Sequence, residues 1–347
     1  MRIDASRLTV GITALLATAG PVAAADQLAV LSFGGAYQDA QRKAFFEPYT
    51  ASTGTRIVEQ EYGGEIAKIR AMIETGAVTV NVVDVDGPTL QEGCDEGIYE
   101  TLDWAKIAPR EEWLAGTATD CGVGIIVYAT VVAYDGAKLR EGPTTIADLF
   151  DTRKFPGKRG LQKYPPGNLE FALLADGVPP DQVYATLSTP AGVDRAFRKL
   201  DSIKSDIVWW ESGAQPAQLL ASGEVVMTSA WNGRISDANK EGKAFQIVWD
   251  GQLLDTDSWA IPKGAANLDE VYKFIAYTVR PDVLAKFPAY IPYGPVRTTA
   301  ASAMAPDLAA ALPTAPAHMT RALTTSYTFW SDHGEELRRR FTTWLGQ

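Results

Sequence analysis

Histidine and cysteine are scarce in this chain of 347 residues, which contains two of each. Neither His318 nor His333 has a cysteine or a second histidine at ligand spacing, so the sequence predicts no zinc or copper site and no metal cofactor. The sequence also lacks a G-x-S-x-G nucleophile elbow and a phosphate-binding loop. These absences disfavour enzymes that use a serine–histidine triad or a nucleotide.

Long apolar runs are missing after residue 25. The longest later run, residues 121–134, does not reach membrane-spanning length and has the character of strands. Before it, two arginines precede a short apolar stretch at residues 8–19, and three alanines at 23–25 form a small-residue cleavage site. We therefore expect residues 1–25 to be a cleavable secretory signal and the mature protein to be exported.

The two cysteines, Cys94 and Cys121, both lie in the expected mature chain. Exported proteins enter an oxidising compartment, where an isolated pair of cysteines commonly forms a disulfide. We predict that Cys94 and Cys121 are joined. Two free buried thiols are the alternative that the sequence leaves open.

Basic residues are fewer than acidic ones: the chain has 32 Lys and Arg and 42 Asp and Glu, which give a formal net charge of −10. Such acidity disfavours nucleic acid and anionic membrane surfaces as partners. It is compatible with a cationic ligand, although acidity also keeps many exported proteins soluble. The charge therefore narrows the class of partner without identifying it.

Strand-like and helix-like patterns alternate along the chain. Residues 28–33, 56–61 and 80–86 are predicted strands, and helical periodicity separates them. The same alternation returns over residues 136–255. Alternating strands and helices predict a mainly parallel sheet covered by helices, and the length of the chain predicts two lobes.

The tract of residues 208–233 is the most informative part of the sequence. It predicts a strand, a helix and a second strand that ends at Trp231, and Arg234 follows shortly after. Ligands of open α/β sheets bind at the carboxyl ends of strands, so Trp231 and Arg234 are candidates for a binding site. The alternatives are that Trp231 belongs to the core and that Arg234 is a solvated helix residue.

Two further strand ends carry candidate residues. Phe33 and Tyr37 flank a turn that contains Gly35, where glycine lets the backbone approach a ligand. Asp84 and Asp86 lie on one side of the strand at 80–86, because side chains alternate along a strand. Either carboxylate could reach a cleft, and a role for Asp86 in its own turn is the alternative.

Three blocks of sequence, at 214–223, 230–233 and 257–262, resemble the bacterial periplasmic spermidine/putrescine-binding receptors of ABC importers. Three more, at 31–37, 121–124 and 293–295, resemble the wider solute-binding family. The blocks keep the family's order and extend from about residue 30 to about residue 300, nearly the whole mature chain. They are LSFGGAY at 31–37, CGVG at 121–124, AQPAQLLASG at 214–223, AWNG at 230–233, DSWAIP at 257–262 and YGP at 293–295.

The resemblance implies an α/β, two-lobed periplasmic binding protein fold with a mixed, mainly parallel sheet in each lobe and crossing hinge strands. Lobe I would comprise residues 26–133 with 258–297, and lobe II residues 134–257 with 298–347. Such a receptor is expected to be a monomer without a cofactor. It closes on its ligand by hinge motion and delivers it to an inner-membrane ABC permease.

The resemblance also implies roles for individual residues. In polyamine receptors the segment that matches Phe33 and Tyr37 supplies aromatic side chains to the cleft. Asp257 occupies the position of an amine-binding carboxylate. Trp231 and Tyr293 would then offer aromatic faces to a ligand ammonium group.

The chain departs from the polyamine pattern near this site. Asp255 stands where those receptors have an aromatic residue, and the segment around Glu170 lacks their acidic pair. Because Arg234 could grip a carboxylate, these departures favour a zwitterion such as 4-aminobutyrate, while a diamine or polyamine stays possible. The candidate ligand-binding residues are Phe33, Gly35, Tyr37, Asp86, Glu170, Trp231, Arg234, Asp255, Asp257 and Tyr293.

A secreted hydrolase on a two-lobed α/β scaffold is the alternative function. Asp255 and Asp257 could act as general acid and base, with Ser212 as a nucleophile. The lack of a histidine in the candidate cleft segments disfavours this hypothesis.

Overall fold

The computed structural model describes residues 27–302 and 304–347. The predicted secretory signal, residues 1–25, lies outside the described residues. Over the described ranges, no helix combines the length and the apolar composition that crossing a membrane requires.

Ten strands within the described residues join into one mixed sheet. They are β1 (Gln27–Ser32), β2 (Arg56–Glu61), β3 (Val82–Asp86), β4 (Gly122–Asp135), β5 (Arg159–Gln162), β6 (Ile207–Trp210), β7 (Met227–Trp231), β8 (Phe245–Ala260), β9 (Gly294–Pro295) and β10 (Leu323–Thr324). Across the sheet the order is β2-β1-β3-β8-β4-β7-β5-β6, with β9 beside β4 and β10 beside β8.

Fourteen α-helices of the described ranges connect and flank these strands. They are α1 (Gly35–Gln41), α2 (Glu47–Thr53), α3 (Ile66–Glu74), α4 (Gly87–Asp95), α5 (Pro165–Ala175), α6 (Val183–Leu187), α7 (Pro190–Asp201), α8 (Gln215–Ser222), α9 (Asn232–Lys240), α10 (Leu268–Thr278), α11 (Pro281–Leu284), α12 (Thr298–Ala301), α13 (Pro306–Ala310) and α14 (Tyr327–Leu345).

Each half of the sheet is built from parallel strands. In one half β1 pairs with β2 and β3, and in the other β5 pairs with β6 and β7. Between the halves, the long strands β4 and β8 run antiparallel to each other. The predicted α/β fold with crossing strands is confirmed, but the sheets of the two lobes are continuous because β4 and β8 pair along both of them.

The two lobes have separate hydrophobic cores, and the long strands pass from one core to the other. On β4, Val131 belongs to the core of the first lobe and Val132 to that of the second. On β8 the change falls between Leu253 and Leu254. A shift in the β4–β8 register beside Val132 marks the same place, as expected where a bulge bends a strand pair. The predicted lobe boundaries, at 133/134 and 257/258, lie slightly later along both strands and stay predictions.

The C-terminal helix α14 joins the two lobes at their edge. Its apolar face, with Trp330 and Phe341, is part of the second core. Its polar face reaches α4 of the first lobe, where Arg338 Nη2 donates to Glu92 at 3.0 Å. The helix therefore closes one side of the space between the lobes.

The predicted disulfide is confirmed. Cys94 in α4 and Cys121 before β4 are joined, with their Cα atoms 6.0 Å apart. Both residues pack with the part of the first core that surrounds Leu90 and Val85. The bond therefore ties α4 to the first of the long strands.

Replacing both cysteines by serine should lower the free energy of unfolding by about 3.5 kcal/mol, the chain-entropy value for a loop of this length. The cysteines are separated by 27 residues, so the unfolded chain of the variant gains much freedom. Urea denaturation of the oxidised protein and of the Cys94→Ser, Cys121→Ser variant measures the difference. Two free thiols in the denatured, unreduced wild type would contradict the pairing.

Candidate ligand-binding cleft

A cavity of about 910 Å³ lies between the lobes and draws its walls from both. The ends of β1 and β3 and the middle of β8 contribute from the first lobe, and the end of β7 with the start of α9 contributes from the second. Eight of the ten candidate residues line it, namely Phe33, Tyr37, Asp86, Trp231, Arg234, Asp255, Asp257 and Tyr293.

Carboxylates gather on one face of the antiparallel pair β3 and β8. Asp86 lies directly opposite Asp257 in the register, and Asp255 is two residues further along β8 on the same face. Asp84 lies behind them, fully buried, and accepts hydrogen bonds from Ser32 Oγ at 3.0 Å and from Gln41 Nε2 at 2.6 Å. One wall of the cavity is therefore strongly acidic.

Asp86 both reaches the cleft and acts in its own turn, which were the two alternatives for this residue. It lines the cavity, and its carboxylate also accepts from Thr89 N at 2.8 Å as the N-cap of α4. The cap holds the carboxylate at the end of β3, opposite Asp257.

Burial makes this wall hard to ionise. Burial, and then the charge of Asp86, raises the pKa of Asp255 to about 8. Burial raises the pKa of Asp84 to about 7 and also raises the pKa of Asp86. Burial first, and then the three neighbouring carboxylates, raises the pKa of Asp257 well above its usual value. A cation placed beside these groups would favour their charged forms.

Arg234 brings the opposite charge to the cavity from the second lobe. Its side chain is almost wholly buried, and Nη2 donates to the carbonyl of Gly34 at 3.0 Å across the gap between the lobes. Its Nε has no hydrogen-bond partner among the described residues. The guanidinium lies 5.9 Å from the ring centroid of Trp231, within cation–π range.

Five aromatic side chains form a closed ring of contacts around the cavity. Neighbouring ring centroids are 5.6 to 6.5 Å apart, the range expected for tilted and edge-to-face pairs. In order around the ring they are Phe33, Tyr37, Tyr293, Tyr128 and Trp231. The ring lowers the polarity of this part of the cavity, which strengthens electrostatic interactions beside it.

Tyr128 is a cavity residue that the sequence analysis did not single out. It lies on β4, opposite Asp255 in the register, within the apolar run that was interpreted as crossing strands. A tyrosine among β-branched and small residues was the available signal, because a buried hydroxyl needs a polar surrounding.

Glu170 does not line the cavity. Its fully buried carboxylate accepts from Gly167 N at 2.8 Å, Trp330 Nε1 at 2.8 Å and Tyr184 Oη at 3.1 Å. These bonds fasten the start of α5 to α14, which is a structural role and not the ligand contact that the sequence analysis expected. The departure from the polyamine pattern at this segment therefore concerns packing.

Gly35 also lies outside the lining residues, but it is close to Arg234. A Cβ atom at Gly35 would lie 2.8 Å from Arg234 Nη1, and its φ of +56° is one that L side chains rarely adopt. Glycine at this position gives the guanidinium its space.

Among the residues that the structure describes, no three His, Cys, Asp or Glu side chains are arranged to hold a metal ion.

The family model for bacterial extracellular solute-binding proteins matches residues 44–318. The chain belongs to this family. The predicted resemblance is thereby confirmed, and membership of the solute-binding family supports the binding hypothesis over the hydrolase alternative.

Relatives cover the chain to different extents. A gamma-aminobutyric acid-binding protein of Pseudomonas aeruginosa is 47% identical over 325 residues, which are 94% of this chain and 92% of the relative. A spermidine/putrescine-binding periplasmic protein of Escherichia coli is 29% identical over 122 residues, 35% of each chain.

Solved structures of solute-binding proteins match the fold over almost their full length. An ABC transporter substrate-binding protein from Bradyrhizobium japonicum has a TM-score of 0.85 at 36% identity and covers 92% of this chain and 99% of its own. The GABA receptor Atu4243 has a TM-score of 0.81 at 36% identity, with coverage of 92% and 98%. The two-lobed fold is confirmed.

The Asp255→Asn variant should raise the melting temperature of the ligand-free protein more at pH 8 than at pH 5. The folded pKa of about 8 exceeds the unfolded value, so the folded protein holds an extra proton between them. Stability contributed by that proton is present at low pH and is lost as the pH rises towards 8. Asparagine mimics the protonated form at every pH.

Thermal denaturation at pH 5 and pH 8 checks this expectation. Asp181, which is exposed on the second lobe, supplies the matched control, and Asp181→Asn should give no pH-dependent difference. An equal shift for Asp255→Asn at both pH values would contradict the raised pKa.

Proposed function

We propose that this protein is the periplasmic substrate-binding protein of an ABC importer and that it captures an ω-amino acid of the size of 4-aminobutyrate. One observation carries the proposal: one cavity between the lobes holds a buried guanidinium on one lobe and paired carboxylates on the other. This arrangement complements a small molecule with a charge of each sign. The relative of 47% identity is named a gamma-aminobutyric acid-binding protein, which supports the same ligand class.

Arg234 holds the ligand's carboxylate in this proposal. Nη2 is already engaged by the Gly34 carbonyl, and the side chain of Arg234 lines the cavity. A guanidinium presents its N–H groups in a planar fork that matches a carboxylate.

Asp257 holds the ammonium group, with Asp86 opposite it and Asp255 alongside. Tyr293 lies within electrostatic range of both ends of the site, because the charges of Arg234 and Asp257 act on its pKa in opposite directions. The aromatic ring adds cation–π attraction to the charge-assisted hydrogen bonds. The ammonium group then supplies the countercharge that the acidic wall lacks.

A diamine such as putrescine fits the acidic wall but not Arg234. A second ammonium group in the same enclosure meets a buried like charge, which costs free energy at low effective dielectric. The resemblance to polyamine receptors therefore extends to the fold and to one end of the site. It does not extend to Arg234.

Location and partner follow from the same proposal. The predicted signal sends the protein to the periplasm, where it acts as a monomer and passes its ligand to an inner-membrane permease. The site needs no cofactor, since recognition rests on side chains of this chain and on closure of the lobes. Catalysis plays no part in it.

The Arg234→Lys variant tests the ligand class. Wild type should bind 4-aminobutyrate, and the variant should bind it roughly tenfold or more weakly because lysine keeps the charge but loses the fork. Putrescine binding, where it is measurable, should change little. Isothermal titration calorimetry of both proteins with both ligands measures the effect.

Arg195→Lys is the matched control, because Arg195 pairs with Asp176 on the surface of the second lobe, away from the cavity. It should bind both ligands as wild type does. The proposal would be contradicted if wild type bound putrescine or spermidine tightly and did not respond to ω-amino acids. That result would indicate a structural role for Arg234.

The Asp257→Asn variant tests the ammonium end. The change keeps the shape of the side chain and removes its charge, so affinity for 4-aminobutyrate should fall by about 1.5–3 kcal/mol, the scale of hydrogen bonds to charged groups. Calorimetry measures the loss, and Asp269→Asn on an exposed side chain serves as control. Unchanged affinity in a folded Asp257→Asn variant would contradict this assignment.

A further inference from the structure

Gly213 lies directly behind two residues of the proposed site. It sits in the loop between β6 and α8, and a Cβ atom there would lie 2.6 Å from Trp231 Cε3 and 3.1 Å from Arg234 Nε. Its φ is outside the left-handed region, so the backbone itself does not demand glycine. The reason for glycine is the space that Trp231 and Arg234 occupy.

Both neighbours have little room to move away from a side chain at this position except into the cavity. Trp231 packs edge to face against the fully buried Trp210, with ring centroids 5.8 Å apart, so the cavity is the space into which its ring could move. On the far side of Arg234, a Cβ at Gly35 would lie 2.8 Å from Nη1. The guanidinium is thus held between two α-carbons, one from each lobe.

The contact with Nε decides what a methyl group at this position would do. Nη2 is engaged with the Gly34 carbonyl, and Nε is the donor without a partner among the described residues. A methyl group on Gly213 would press on the buried Nε and on the ring of Trp231, so that both side chains would have to shift towards the cavity. Both changes affect the end of the cavity that receives a carboxylate.

We infer that Gly213 is a positioning residue that sets the specificity of this receptor for carboxylate-bearing ligands. It acts through Arg234 and Trp231 and touches no ligand atom itself. The inference rests on the proposed function, because it assigns the carboxylate of the ligand to Arg234. It adds a residue from the β6–α8 loop to the determinants of specificity.

The Gly213→Ala variant tests the inference, with Gly346→Ala as the matched control. A Cβ at Gly346 meets its nearest neighbour at 3.6 Å, an ordinary contact near the end of α14. Calorimetry should show at least a tenfold loss of 4-aminobutyrate affinity in Gly213→Ala, with putrescine affinity changed less and the melting temperature close to that of wild type. The control should match wild type in all three measurements.

A double variant separates positioning from general damage. If Gly213 acts through Arg234, adding Gly213→Ala to Arg234→Lys should weaken 4-aminobutyrate binding little beyond Arg234→Lys alone, because coupled residues are not additive. Independent, additive losses would overturn the inference. So would an equal loss for both ligands together with a lowered melting temperature, which would mark a structural role.

A crystal structure of the Gly213→Ala variant keeps this test separate from that of the proposed function. Displaced Trp231 and Arg234 side chains support the positioning role whatever the ligand is, and unmoved side chains overturn it. Failure of wild type to bind 4-aminobutyrate would contradict the proposed function and leave the crystallographic test of Gly213 intact.

Discussion

The cleft depends on the antiparallel pairing of two long strands, β4 and β8, which both lobes share. This pairing places Tyr128 opposite Asp255, and the next pairing, β8 with β3, places Asp257 opposite Asp86. Because side chains alternate along a strand, a slip of one residue would turn the carboxylates to the other face. The two apolar cores hold the register, since each contains residues from both strands.

That register has a cost, because it buries like charges side by side. Isolated carboxylates in a low-dielectric site resist ionisation, and the raised pKa values of Asp84 and Asp255 express this. Large cores elsewhere, around residues such as Trp259 and Phe171, offset the cost. Carboxylates that lack a neighbouring positive charge in the free protein reduce its stability, and binding sites commonly give up stability for function in this way. In the proposed binding mode, the ammonium group of the ligand supplies the positive charge that the carboxylates lack.

The sequence could predict those parts of the site that depend on residue type at the end of a strand. Trp231 and Arg234 follow a predicted strand, and the match of Asp257 to an amine-binding position came from resemblance. For Tyr128 the residue type within an apolar run was a signal, but its place opposite Asp255 could not be predicted, because it depends on pairing between residues far apart in sequence. The structure places Glu170 outside the cavity lining for a related reason: its partners on α6 and α14 are distant in sequence, and periodicity does not reveal them.

Recognition of the carboxylate and closure of the lobes are linked through one side chain. Arg234 belongs to α9 of the second lobe, yet it donates to the carbonyl of Gly34 in the first. A carboxylate bound to the same guanidinium would neutralise it at the point where the lobes meet, and exclusion of water there strengthens both interactions. A dication gains nothing from this contact and leaves the buried guanidinium without a counterion. In the proposed binding mode, the interaction that selects a zwitterion is therefore also the one that favours the closed arrangement of the lobes.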